Sequence, residues 1–487
     1  MLAISCTRTI WRTAYIHDIL HAGFPFPRQR LSSFDSAELE SAVRRSIRIG
    51  QFWRTPHARP RKLIDFQAAF GTDIWDVKFL PGHEGRRVVT VSKGIWSVVK
   101  YWVIDEHDIM HPEYPRAHAI AEWCPRGMIF TGFVVNSHAD SIGILAASVN
   151  GKGGQRIDIL SIMKDDKGEY VLASIFSFES TFRPIAMHGD LLAYCDESFN
   201  TMIMNWKNGA RALLRSSEEP IDQHFQYNRC LQVVFTSKSI LVVRARSLEL
   251  FQKPILRPPS EPLVTYRSIA SHSFGWIDGV SVSAQVHDLT PNNQGIEPLA
   301  ILLRGESDDP WTSDVHRLDL YVLEPNPLFV DDPPLTSLDG PVDDASDLSA
   351  GRDSAWAHSP YLFPPEHSKL SSPSVRGILR CRDIVLGRYG TAIWIQPRPA
   401  RMADLTTLDV HASETQAPET SRAKETVVAA VFAGPLQREY AQMDLDTRSL
   451  WTQSFGSSTW TSIDYVEEFG RIALGSSQGM VTLLDLT

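Results

Sequence analysis

From Ile64 to the end of the chain, short apolar runs bounded by Gly, Asn, Asp and Ser come in groups, and seven such groups follow one another. That repetition limits what the chain can fold into more than any other feature it has. The runs are too short for helices and show no 3.6-residue period, so they read as strands. The first four groups are "IWDVKFL", "RRVVTVS" and "SVVKYWVID" over 74–105; "GFVVN", "SIGILAASV" and "RIDILSI" over 132–162; "FRPIAM", "LLAYC" and "TMIMNW" over 182–206; and "CLQVVF", "SILVVRA" and "SLELF" over 230–251. A looser fifth gathers "VSVSAQV", "PLAILLR" and "HRLDLYVL" between Val280 and Leu323, and the sixth pairs "RDIVLGRYGTAIWI" with "ETVVAAVF". The seventh, "TWTSIDYV", "GRIALGS" and "GMVTLLDL", closes the chain.

Many small antiparallel sheets with few exposed edges are what a β-propeller provides, and a sandwich needs far fewer strands. The expected fold is therefore mainly β: a β-propeller of about seven irregular blades with a short α-helical N-terminal segment. Trp102-Val103-Ile104-Asp105 and Leu484-Asp485-Leu486 end their groups as a degenerate WD repeat does, although the full G-H…W-D signature is absent. Before Ile64 the pattern is helical. Leu39, Val43 and Ile47 recur every four residues behind a capping box of Asp35 and Glu38, and Cys6, Ile10, Trp11, Tyr15 and Ile19 can share the face of an earlier helix. The expected organisation is a helical segment over 1–63 and a propeller over 64–487. Two stretches interrupt the strands. Residues 324–373 hold nine Pro and nine Asp/Glu against two Lys/Arg, and 398–424 are similar in kind. Both read as disordered insertions within the propeller, because they carry too little apolar surface to offset ordering.

With a formal charge of −9 over 487 residues, the chain has no general attraction for nucleic acid or anionic membrane. Residues 1–62 differ, with eleven Lys/Arg against four Asp/Glu, but Phe52 and Trp53 alone supply aromatic rings beside the basic cluster, so it reads as a solvated helix face. Five scattered cysteines without a C-x-x-C pair exclude a disulfide framework or zinc module, and no apolar run approaches 18 residues. A reducing compartment, cytoplasm or nucleus, is the expectation.

Gly475-Ser476-Ser477-Gln478-Gly479 fits the G-x-S-x-G elbow of serine hydrolases, but that motif needs a helix next and a histidine downstream. Here a strand follows, and the last histidine is His411, so the expected structure is a hairpin turn. His107, Asp108, His111 and His118 sit among prolines in a loop, and "NGKGG" at 150–154 lacks the spacing of a phosphate loop. No catalytic, metal or cofactor-binding residue is expected.

The stretch "LAISCTRTIWRTAYIHDILHAG", Leu2 to Gly23, resembles the last helices of an F-box. "ELESAVRRSIRIGQFW" from Glu38 and "YVEEFGRIALGSSQGMVTLLDL" from Tyr465 are similar to the following helix and closing blade of a large group of fungal F-box proteins. The resemblance implies an adaptor. The helix would contact the small adaptor subunit of a cullin-type ubiquitin ligase, through Cys6, Ile10 and Trp11, while the propeller presents a target protein. The L-P-x-E segment that opens an F-box does not precede Leu2, so the chain as given is expected to bind that subunit weakly or not at all. The alternative is a propeller scaffold without ubiquitin chemistry, and a propeller enzyme is the third reading.

Overall fold

Seven antiparallel sheets arranged around one axis account for all thirty strands found among the described residues. The computed structural model describes residues 7–27, 31–94, 97–105, 116–195, 200–216, 228–286, 295–306, 315–330, 359–371, 375–376, 381, 383–396, 425–432, 434–436, 447–452 and 459–487. Strand β1 (Arg61–Gln67) comes first in the chain and last in the ring. Blade one is β2–β5 (Ile74–Phe79, Arg87–Lys93, Ser97–Asp105, Arg116–Trp123), and blade two is β6–β9 (Ile129–Val135, Leu145–Gly151, Gly154–Lys164, Tyr170–Glu179). Blade three is β10–β13 (Arg183–His188, Leu191–Cys195, Thr201–Asn205, Arg211–Arg215), joined by β17 (Thr265–Arg267) in parallel. Blade four takes β14–β16 (Cys230–Phe235, Ser239–Arg244, Ser247–Gln252) with β18 (Ala270–Ser273). Blade five is β19–β22 (Ile277–Ala284, Leu299–Glu306, Val315–Leu323, Glu366–Ser371) plus β23 (Val375–Arg376). Blade six is β24–β27 (Ile384–Leu386, Thr391–Gln396, Thr426–Val431, Arg448–Thr452), and blade seven is β28–β30 (Trp460–Val466, Arg471–Ser476, Met480–Asp485) with β1 as its outer strand.

The seven sequence groups thus correspond one to one with seven blades. In six of them the first strand carries a bulge at its second or third residue: Trp75, Thr131, Ile185, Leu231, Asp278 and Thr461. A bulge adds twist and bends its strand, which lets first strands approach one another near the axis. They do meet, from blade two through to seven and from seven back to one. Pro184 precedes the bulge of β10, a position where a missing N–H does little harm. In blade one the Trp102 indole donates to Thr90 Oγ1 at 2.9 Å, which satisfies a buried N–H and ties β4 to β3.

The helical segment is part of the same core. Helix α1 (Arg8–Ala14) runs into a π-helical turn at Tyr15–Leu20, and α2 (Ser36–Arg54) follows. The expected capping box closes α2: Glu38 N donates to Asp35 Oδ1 at 2.8 Å, and Asp35 N to Glu38 Oε2 at 2.9 Å. Leu39, Val43, Ile49 and Trp53 line its buried face and pack on Ile393, Ile395 and Val427 of blade six and on Ile463, Ile472 and Leu484 of blade seven. Gly50 leaves room for the Phe24 ring, where a Cβ would sit 2.2 Å from a ring carbon. Arg448 of blade six holds the helix end, donating to Phe52 O at 3.0 Å and Thr55 O at 2.9 Å, with its guanidinium over both the Phe52 and Trp53 rings.

Two expectations change. The boundary between 63 and 64 falls inside β1, whose half-exposed, charge-rich sequence hides its pairing with β30. The insertion over 324–373 is structured at both ends, because Tyr361 and Phe363 are apolar anchors buried against blade five and Pro325 bridges to Tyr361. Residues 331–358 and all of 398–424 lie outside the described residues.

The G-x-S-x-G stretch is the hairpin turn between β29 and β30. Gly479 has φ +78°, and any Cβ there would collide with the carbonyl of Ala69, whose own N–H and that of Ala68 bond to Gly479 O. Ser477 Oγ merely accepts from Thr459 N at 3.1 Å. Gly479→Val is therefore expected to cost at least ~1–3 kcal/mol from the positive φ alone, and Ser477→Ala to melt close to the wild type. Leu39→Ala should cost ~2–5 kcal/mol and lower one shared transition. Thermal unfolding of the three variants checks this, and a separate early transition for the helices would contradict a common core.

Candidate functional site at the channel mouth

Each outermost strand crosses to the next blade on one face of the ring, and the bulges stand near that face. In blade one the bulge falls on Trp75, so its ring is turned outward and stays 37 % exposed. Lys93, at the end of β3, places Nζ 2.9 Å from the ring centroid. Phe70, in the connection from β1 to β2, is 86 % exposed. From blade three Arg183 runs its stem past Gly132 of β6, where an added Cβ would come within 3.2 Å of Arg183 Cβ. Burial pushes the Lys93 ammonium down to about 8, with the Arg183 charge adding to the fall and Asp76 opposing it. Among the described residues neither Lys93 nor Arg183 forms an ion pair. The mouth therefore offers two exposed rings and two cations that form no ion pair among the described residues.

Below it the charge reverses. Asp76 and Lys78 share one face of β2, 3.5 Å apart. Asp464 of β28 accepts from Phe79 N at 2.7 Å, and Asp383 joins them just ahead of β24. Burial raises Asp76 to about 7, and the charges of Asp383 and Asp464 add to it while Lys78 opposes. Burial also raises Asp464. It works against the Lys78 ammonium, yet the three carboxylates hold that group well above its usual value.

On the opposite face Glu467, between β28 and β29, locks blade six to blade seven. Its carboxyl accepts from Tyr389 N at 2.8 Å, from Thr391 N at 3.2 Å and from the Thr391 hydroxyl, while Tyr389 OH donates to Phe26 O at 3.2 Å ahead of α2. Burial is the main cause that pushes Glu467 up to about 8.

Of the residues expected to bind a partner, Ile10 is 38 % exposed on α1. Trp11 is partly buried on the helical core, with the Arg44 guanidinium 5.3 Å from its ring centroid. The helix thus turns the two to different surroundings, and Cys6 lies outside the described residues. The basic residues of α2 are largely committed: Arg44 pairs with Glu40, Arg45 stacks on Phe469 and Arg54 on Phe24. Residues 106–115, with His107, Asp108 and His111, are outside the described residues; His118 stands 3.5 Å from Asp105. The "NGKGG" stretch is the turn from β7 to β8. Among the described residues no cluster of three His, Cys, Asp or Glu is arranged to hold a metal ion, and no helix is long and apolar enough to cross a membrane. Sequence reasoning missed Phe70, Trp75, Lys93 and Arg183. Trp75 lies within an apolar run and reads as core unless the bulge is known.

No protein-family model matches this sequence, and no curated protein matches it. Among solved structures, the chain is similar to one in the crystal structure of the Chaetomium thermophilum polycomb repressive complex 2, at 13% identity and TM-score 0.46, over 88% of this chain and 97% of that one. It is likewise similar to the C-terminal WD40 domain of Sif2, at 10% identity and TM-score 0.42, over 88% and 99%. At these identities the likeness concerns the fold alone.

The raised carboxyls fix a pH dependence. A carboxyl with a higher pKa folded than unfolded keeps its proton better when folded, so its contribution is full below the unfolded value of about 4.3 and is lost as pH climbs through the folded one. For Glu467 that window runs up to about 8. The melting temperature is expected to fall between pH of about 5 and about 8.5, and Glu467→Gln to flatten the slope. A wild-type profile that rises over this interval would contradict the buried carboxyl.

Proposed function

We propose that this protein is a non-catalytic interaction scaffold whose channel mouth takes an acidic segment of a partner protein. The observation that carries the reading is the group of Phe70, Trp75, Lys93 and Arg183, two exposed rings beside two cations that form no ion pair among the described residues. Aromatic and arginine anchors concentrate binding energy at protein interfaces, and complementary charge selects the partner. The acids beneath the mouth repel a segment that would enter deeper, so it is expected to lie across the rim. A fluorescent peptide of alternating Glu and Leu is a suitable probe. Binding should weaken roughly tenfold, or about 1.4 kcal/mol, in Arg183→Glu and again in Phe70→Ala, and fall with added salt. It should also weaken as pH rises through about 8, where Lys93 loses its proton, while Lys93→Arg keeps binding over that range. Equal affinity for Arg183→Glu and wild type would remove the rim as the site.

A second reading keeps the F-box resemblance: α1 docks the adaptor subunit of a cullin-type ligase. The exposure of Ile10 (38 %) on α1 and of Ile16 (39 %) in the π-helical turn that follows supports it, with a cavity of about 430 Å³ beside Ile10. A pull-down with purified adaptor subunit is expected to retain the chain weakly, and Ile10→Asp to abolish that retention. Retention indifferent to the change, or none at all, leaves the scaffold reading alone.

A further inference from the structure

On the crossover face, where Cys195 pairs across strands with Arg183 of the rim, the junction of blades three and four brings two thiols together. Cys195 ends β11 and Cys230 opens β14, both are partly exposed, and their side chains lie within hydrogen-bonding reach of each other. Thr201 Oγ1 is 3.3 Å from the Cys195 sulfur. Behind them sits Arg244, fully buried, which donates through Nε to Glu249 Oε2 at 2.7 Å and through Nη2 to Thr201 Oγ1 at 3.3 Å. Its Nη1 has no acceptor, although its charge is felt by both sulfurs. A thiol is a weak acceptor and a thiolate a strong one, so this guanidinium is matched to the ionised form.

We propose that Cys195 and Cys230 are a modification site, a reversible disulfide between blades three and four whose oxidant is a hydroperoxide. The Cys195 thiolate attacks one peroxide oxygen, the O–O bond breaks, and the second oxygen leaves as alkoxide or hydroxide and takes up a proton. Cys195 is then a sulfenic acid. The Cys230 sulfur attacks the Cys195 sulfur, the S–O bond breaks, and the oxygen departs as water with the Cys230 proton. Two electrons have passed from the thiol pair to the peroxide, and a small thiol returns them by exchange. The contact with Cys195, with burial behind it, pushes the Cys230 thiol well above its usual range, which suits it to the resolving role.

The test treats the full chain with hydrogen peroxide, blocks remaining thiols with N-ethylmaleimide, and maps non-reduced peptides by mass spectrometry. The expected result is one cross-linked pair, Cys195 with Cys230, reversed by dithiothreitol and unchanged in Cys124→Ser and Cys381→Ser. Cys230→Ser should lose the link and leave Cys195 as a sulfenic acid that dimedone labels. Oxidation should raise the melting midpoint of the wild type, and leave it unchanged in the Cys195→Ser/Cys230→Ser double variant. Recovery of both residues as maleimide adducts from folded, peroxide-treated protein overturns the proposal. So does a link to another cysteine, or a link formed equally fast in urea.

Discussion

Seven first strands must crowd around a single axis, and this crowding is the constraint that the rest of the molecule obeys. A flat, regular strand would splay away from the axis. The bulge repeated near the start of six first strands supplies the extra twist. It also leaves one residue of each strand outside the ladder. Where that residue is Asp278, it is drawn back into the core by Arg304 at 2.7 Å; where it is Trp75, it stays outside and meets Lys93. One backbone irregularity thus serves packing in one blade and leaves an exposed ring in another.

Between blades six and seven the helical segment packs on both sheets at once. Trp53 packs edge-on against Tyr465, Arg448 clasps the end of α2, and Glu467 reaches across to the backbone of Tyr389 and Thr391. A buried carboxyl without a cationic partner is costly when ionised, yet three donors replace most of the water it would otherwise bind. Apolar contact brings the helix in, and directed hydrogen bonds fix where it stops.

How much of this could be read beforehand depends on how local each cause is. The blades were legible because alternating apolar runs and glycine turns are written in neighbouring residues, and the α2 cap because Asp35 and Glu38 lie three apart. Strand β1 was not, since Arg61, Lys62 and Asp65 look like linker until β30 is placed beside them. Tyr361 and Phe363 were submerged in the composition of an acidic, proline-rich stretch. The site at the mouth needed three blades at once: Trp75 depends on a bulge, Lys93 on a strand end, and Arg183 on a neighbour two blades away. None of those relations has a signature in spacing. The resemblance to F-box helices grouped Ile10 and Trp11, but helical geometry points them apart, one outward and one under Arg44.

Closure by β1 has a consequence for how the molecule is made. Among the described strands, the one that completes blade seven leaves the ribosome first, and its partner, Met480–Asp485, leaves last. At ~5–20 residues per second, β1 waits roughly 20 to 80 s for that partner. Through that interval six blades can assemble in order, while the nascent chain carries an unmatched strand edge at its front. The polar character that hid β1 from a reader of the sequence is also what keeps that edge from pairing with another chain, because Arg61, Lys62 and Asp65 are poor material for sticking to a stranger.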